Sequence, residues 1–250
     1  MFLNLLYVSN EAQNQFMANL TTSEAFFMVI AVGIAGLIVQ WRLRAVMSKY
    51  SEVPTPTGLT GAEMAEKMLR YNGITDVKVI HTGGFLTDYY DPRNKTVNLS
   101  EGVYNSRSIA AAAVACHECG HALQHAQGYA PLRLRSWLVP AVTIASPIST
   151  WLVIIGLIMT ASSSSQILCW VGIGLMCLSA LFSIVTLPVE YNASNRALKW
   201  LEQSGLLFGE ELGGAKIALR WAARTYLVAA LSAIASILYY ITLINGRRRD

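Results

Sequence analysis

Charge is what this sequence has least of. Only 14% of its 250 residues are charged, while 54% are hydrophobic and the mean hydropathy is +0.41. An ordinary globular domain carries about 25% charged residues. The deficit points to lipid, and no nucleic-acid partner is expected; the net charge of +4 means little alone, because the placement of the basic residues carries the information. Residues 1–24 contain no Lys or Arg, so they lack the basic region of a cleaved secretion signal. Met1–Leu20 reads either as a segment lying along the membrane surface or as a disordered tail. Cysteine is scarce too, at four residues. Cys169 and Cys177 fall inside an apolar window and Cys116 and Cys119 in a cytoplasmic region, so no disulfide framework is expected.

What the chain does have is long apolar runs. A hydrocarbon core of about 30 Å needs roughly 20 apolar residues, and four windows qualify: 25–41, 137–161, 167–187 and 226–244. The first is short and holds Gly33 and Gly36, but aromatic residues bracket it as expected at headgroup level. Of the nineteen Lys and Arg, eleven lie between Arg42 and Arg135 and five between Arg196 and Arg224. Positive-inside reasoning makes both stretches cytoplasmic and the N-terminus external. Arg247, Arg248 and Arg249 run against this, since they would follow the fourth span on the outside.

The resulting organisation is an N-terminal segment (1–24), a first span (25–41) and a cytoplasmic α+β region (42–136). Two spans follow (137–161 and 167–187), then a cytoplasmic helical region (188–225), a fourth span (226–244) and a tail (245–250). The expected fold class is a mainly α membrane protein of about four transmembrane helices with a small α+β cytoplasmic domain, which the spacing His117-Glu118-Cys119-Gly120-His121 marks as zincin-like and metal-binding. Within 42–136, Pro54, Pro56, Gly58 and Gly61 mark a linker. Thr60 and Glu63 make a capping box for a helix that Gly73 ends. Strand-like pieces follow at 77–82, 85–90 and 96–100, the last two joined through Pro92 as a hairpin. An alanine-rich helix is predicted from about Ser106 to Gln127, with Asn105 or Ser106 as its cap and Gly128 as its stop. Residues 129–136 then lead into the second span.

That helix carries His117-Glu118-Cys119-Gly120-His121, the H-E-x-x-H pattern. On a helix the two histidines sit about 40° apart and one turn along, so both imidazoles can reach one zinc ion. Glu118, about 100° from His117, stands beside the metal as candidate general base. A catalytic zinc takes three protein ligands and leaves a position for water. Glu190, the first acidic residue after the third span, is nominated as third ligand because the topology returns it to the same side. Asp88 and Glu101 are its rivals. His125 extends the same face but lies about 12 Å along the axis from His117, so it reads either as a second-layer or substrate contact or as structural. His81 reads as a surface or strand histidine. Cys116 and Cys119 project onto other faces and read as packing.

The chain resembles the YugP-type membrane zinc metallopeptidases from about Ser48 to Leu227. The resemblance is carried by Leu86-Thr87-Asp88-Tyr89-Tyr90-Asp91-Pro92-Arg93, Leu99-Ser100-Glu101-Gly102-Val103-Tyr104, the motif helix, and Leu187-Pro188-Val189-Glu190-Tyr191-Asn192-Ala193-Ser194. It implies membrane location, Zn2+ dependence and peptidase activity. Residues 190–194 also look like the E-x-x-A-D pattern of the HtpX and CAAX prenyl protease group, whose Glu is the third zinc ligand. Here Ser194 stands where that group has Asp and brings no negative charge to a zinc-bound histidine.

These features together predict a multi-pass cell-membrane zinc metalloendopeptidase acting on a peptide or membrane-protein substrate at the cytoplasmic face. Glu118 is expected to take a proton from the attacking water and return it to the leaving amine. Tyr89, Tyr191, Arg196 and His125 are candidates for the donor to the oxyanion, and the hairpin at 85–100 offers a strand edge for an extended peptide. The alternatives are an intramembrane protease, with helix 106–127 in lipid, and a non-enzymatic scaffold with a structural zinc site. Arg107, Gln124, His125 and Gln127 weigh against the first.

Overall fold

The computed structural model describes residues 20–84, 87–159 and 163–246, with 163–165 described by backbone alone. Most of the N-terminal segment, Phe85 and Leu86 of the expected second strand, residues 160–162 and the Arg247–Arg249 tail lie outside the described residues. In chain order the elements are α1 (Thr22–Ser51), α2 (Gly61–Tyr71), β1 (Lys78–Thr82), β2 (Tyr89–Asp91) and β3 (Thr96–Ser100). There follow α3 (Glu101–Tyr104), α4 (Ile109–Ala126), α5 (Ala130–Ile158), α6 (Ser163–Gln203) and α7 (Gly209–Gly246). Four of these, α1, α5, α6 and α7, are long and apolar enough to cross a membrane. Their large apolar side chains face outward, among them Leu37, Trp151, Ile167 and Leu231. In water such exposure would be costly, whereas lipid makes it neutral.

The chain divides into two compact units. One comprises the described parts of 1–35, 141–180 and 230–250. It is apolar, with Val153, Cys169, Ile173 and Ile244 at its centre. Gly172 lets α6 lie against α5, since a Cβ there would stand 2.6 Å from Val153 Cγ2 and 2.8 Å from the Ser149 carbonyl oxygen. Small residues at such contacts are how helices approach closely in lipid.

The other unit, Gly36–Pro140 with Leu181–Ala229, holds all the expected site residues. Its apolar core joins Met64 and Met68 of α2, Val97 and Leu99 of β3, Ile109, Cys116 and Cys119 of α4, and Leu201 of α6. α2 opens on the expected capping box: Thr60 Oγ1 accepts from Glu63 N and Glu63 Oε2 accepts from Thr60 N. The sheet runs β1-β3-β2. Buried β3 is central, parallel to β1 and antiparallel to β2, so β2 is an edge. The β2–β3 turn is tied by Asp91, whose Oδ1 accepts from Arg93 N at 2.8 Å and whose Oδ2 accepts from Asn94 Nδ2 at 2.7 Å.

Three expectations change. The motif helix starts at Ile109, not Ser106, and its cap is Ser108, whose Oγ accepts from Ala111 N. The cause is tertiary: Thr55 N donates to Arg107 O, Gly61 N to Ser106 O, and Ile109 N to Val53 O. Those bonds hold 106–108 extended against 53–61, which is thus an anchored strap rather than a free linker. The described part of the second strand is shorter than expected, beginning at Tyr89, because the Asp88 side chain binds Ser100 where a ladder bond would form. Residues 130–136 are helical and continuous with α5, and Pro188 likewise sits inside α6, where it removes one rung without ending the helix.

Candidate metal centre

α4 is built so that a neighbouring helix can come very near. Ala110–Ala113 and Ala115 carry almost no side chain, and at Gly120 a Cβ would stand 2.5 Å from the Ala193 carbonyl oxygen. That close approach brings the α6 residues 190–194 against the motif.

His117 Nε2 is 3.2 Å and His121 Nε2 3.6 Å from the same oxygen, Glu190 Oε2. The two rings are edge to face, with centroids 4.8 Å apart. Among the described residues, His117, His121 and Glu190 form the group able to hold a metal ion, their ligand atoms all within 4.8 Å of one another. Zinc–nitrogen and zinc–oxygen bonds of about 2.0–2.2 Å in a tetrahedron put ligand atoms about 3.3–3.5 Å apart, which the two separations to Glu190 Oε2, 3.2 and 3.6 Å, approach.

The remaining atoms of these side chains are already engaged. Glu190 Oε1 accepts from Arg135 Nη1 at 2.8 Å. His117 Nδ1 lies 3.1 Å from Ser194 Oγ and His121 Nδ1 lies 3.0 Å from Gln124 Oε1. Gln124 is fully buried, and its Nε2 donates to the Val189 carbonyl at 2.8 Å and to Asn192 Oδ1 at 3.0 Å. Because that nitrogen must be the donor, Gln124 Oε1 can only accept, and His121 Nδ1 must carry the proton. In the neutral imidazole the lone pair is then on Nε2, the atom that faces Glu190. Asn192 Oδ1 also accepts from Arg196 Nε at 2.7 Å, and Arg196 Nη1 donates to Gln127 Oε1 at 2.6 Å. A relay of side chains thus reaches from the α4 C-terminus to His121.

Burial disfavours a protonated His121, yet the carboxylates of Glu190 and Glu118 outweigh it and hold its pKa above the ordinary value. The site therefore presents a negative field that a cation can take over.

The triad and Glu118 line a cleft of about 510 Å³, walled by Asp88–Arg93 on one side and by α5 on the other, with Tyr226 of α7 also lining it. Glu118 is buried. Of the other expected residues, Tyr89 lines the cleft, half exposed. His125 does not; its Nδ1 lies 2.8 Å from the hydroxyl of Tyr90, pinning β2 to α4. The Tyr90 phenol is pushed up to about 12 by burial and by Asp76 and Asp91, so it stays protonated. Tyr191 is exposed and Arg196 belongs to the relay; neither lines the cleft. Asp88 is engaged with Ser100 N at 2.7 Å and Oγ at 3.0 Å, and burial raises its pKa. Neither Asp88 nor Glu101 belongs to the metal-holding group. His81 packs edge-on against Tyr104.

Sequence reasoning missed Arg135, Gln124, Asn192 and Tyr226. Arg135 had a usable signal, being the last charged residue before an uncharged run and so in need of a partner. Gln124, three residues after His121, was a polar residue on an apolar helix face.

A family model described as "Putative neutral zinc metallopeptidase" matches residues 25–245. "Putative membrane protease YugP" of Bacillus subtilis (strain 168) is 39% identical over 225 residues, covering 89% of this chain and 97% of that relative. No solved structure matches the chain significantly.

Proposed function

Because the chain belongs to the neutral zinc metallopeptidase family, we propose that it is a membrane-embedded zinc metalloendopeptidase with His117, His121 and Glu190 as ligands. Glu118 is its general base. The observation that carries this reading is the meeting of both Nε2 atoms on Glu190 Oε2, with both Nδ1 atoms tied elsewhere. Three ligands that open onto a cleft favour catalysis over a closed structural site, which takes four.

Bound there, zinc would polarise a peptide carbonyl and lower the pKa of water from about 15.7 towards 7. Glu118 accepts the proton of the attacking water and delivers it to the leaving amine. Arg135 holds the second oxygen of Glu190, so a single oxygen faces the metal position. The extended substrate pairs with the edge strand β2, whose residues line the cleft.

The basic residues between Arg42 and Arg135 and between Arg196 and Arg224 support a cytoplasmic site. Cysteine probes near Lys95 or Lys199 should escape labelling from outside intact cells, and efficient labelling would invert the orientation.

The deciding experiment pairs metal content with cleavage. The purified protein should hold about one zinc per chain, and Glu118→Gln should keep it while hydrolysis of an unfolded protein falls by about 10²-fold or more. Full activity in Glu118→Gln would remove the general base from the scheme. Wild-type protein without zinc after chelator-free purification would remove the metal.

A further inference from the structure

The catalytic cleft coincides with a change in character on four separate helices. On α1 no charged residue occurs between Glu24 and Arg42, and Leu43, immediately after, lines a smaller cavity beside the triad. On α5, Arg135 is the last charged residue, and none follows to Ile158. On α6, Glu190 is the first charged residue after an uncharged run that begins with the helix. On α7, Arg224 is the last, and Tyr226, two residues on, lines the cleft. In each helix the boundary between charged and uncharged sequence falls within two residues of a side chain that lines the site. Such a boundary marks the membrane–water interface.

The two walls of the cleft differ accordingly. One is the polar run Asp88–Arg93 with its strand edge. The other is Leu132, Arg135, Ser136 and Val139, spaced i, i+3, i+4 and i+7 along one face of α5. That face passes from the charged end of the helix into its uncharged stretch, and Trp137 beside it is 76% exposed, as in an aromatic belt. The α5 lining thus combines Leu132 and Val139 with Arg135 and Ser136, and leads from the charged end of the helix towards its uncharged stretch.

We infer that the substrate is a membrane-anchored chain, cut in the segment that adjoins its bilayer span while the span stays in lipid, and not a freely diffusing peptide. This inference rests on the peptidase reading. An extended chain advances about 3.3–3.6 Å per residue, so a scissile bond held at headgroup level lies within about ten residues of the anchor. Anchoring also confines substrate to the enzyme's own surface and raises its effective concentration.

The test uses the full-length protein, zinc-loaded, in phospholipid vesicles. One substrate is a 20-residue Leu/Ala span fused to an unstructured linker of about 40 residues of mixed sequence; the other is the linker alone. Cut positions are mapped by mass spectrometry. Cuts should cluster in the first ten or so linker residues, and the free linker should be cleaved at least about 10-fold more slowly. Cuts spread evenly along the linker, or equal rates for the two substrates, would overturn the inference while leaving the peptidase reading intact. If the zinc-loaded enzyme leaves both substrates whole, the peptidase reading falls and this inference with it. A photo-crosslinker at position 132 in the Glu118→Gln protein gives a readout without turnover: it should capture linker residues next to the anchor, and capture of the distal linker alone counts against the inference.

Discussion

The two faces of α4 differ in residue type and behave as different materials. Towards α2 the helix presents Cys116 and Cys119, both fully buried in the apolar core, with Cys119 Sγ against the Ala65 carbonyl. Towards α6 it presents His117, Gly120, His121 and Gln124, each committed to a named atom of residues 189–194 or to one another. One face is held by area removed from water, which is nearly indifferent to direction. The other is held by hydrogen bonds and a backbone contact, which fail if an atom moves by an ångström. The fold therefore depends on the first face and the chemistry on the second, and substitutions should separate them.

The largest effect on the second face is expected at Gly120. In Gly120→Ala the new Cβ would meet the Ala193 carbonyl oxygen at 2.5 Å and its Cα at 3.0 Å. Backbone cannot swing aside as a side chain can, so α6 must retreat and take Glu190 and Ser194 with it. Overpacking of this kind costs about 1–3 kcal/mol, but the loss of zinc should be the greater consequence, at about 100-fold or more in affinity. Metal titration alongside thermal unfolding checks it; undiminished zinc affinity would mean the close approach does not set the triad.

Glu190→Gln comes next. It leaves the helices where they are, because the volume is kept, and replaces a charged ligand by a weak neutral one. Zinc affinity should drop by about 10- to 100-fold or more, with cleavage following. If metal and activity are both retained, the third ligand is another residue, with Asp88 or Glu101 first to be tried.

Gln124→Leu should act more gently. It removes the acceptor for His121 Nδ1–H and the Gln124 donor to the Val189 carbonyl and to Asn192 Oδ1, which keeps Arg196 Nε as its partner. Losing the group that orients a ligating histidine typically costs about 10–100-fold in metal affinity. Cobalt-substituted protein gives a readout free of catalysis, since a reoriented imidazole alters the visible spectrum. An unchanged spectrum and unchanged affinity would reduce Gln124 to packing.

How much of this could be read from the sequence depended on distance along the chain. The two histidines and Glu118 were legible because helix geometry alone brings residues 117, 118 and 121 to one place. Glu190 lies 73 residues further on, and it was reached only because a pair of spans must return the chain to its starting side. The four long apolar helices were legible from composition, and the capping box at Thr60 from local spacing. What escaped depends on pairings between distant segments. Ser106 and Ser108 are equally good caps in isolation, and the strap at 53–61 chooses between them. Arg135 and Gln124 are polar residues whose partners, Glu190 and Asn192, sit on another helix. The shortening of β2 turns on one side-chain bond from Asp88 to Ser100.

The smallest effect, and the one that tests the inert face, is expected at the cysteines. Cys116 and Cys119 have the spacing of a redox or metal-binding pair, so a reader of the sequence could assign them a part in the site. Burial pushes both thiols well above their ordinary pKa, and a thiol is a nucleophile and ligand only as the thiolate. In protein with Cys169 and Cys177 replaced by serine, the remaining two should resist alkylation at pH 8 while the chain is folded and react on unfolding. The double variant Cys116→Ala with Cys119→Ala removes two buried sulfur atoms from a packed core, at a cost of about 1–3 kcal/mol in stability. Zinc content and cleavage rate should stay within about twofold of wild type, since His117 and His121 project from α4 in other directions than the two cysteines. A loss of zinc larger than the loss of stability explains would mean that the two faces are coupled, and that the packing of α4 on α2 sets the position of the histidines.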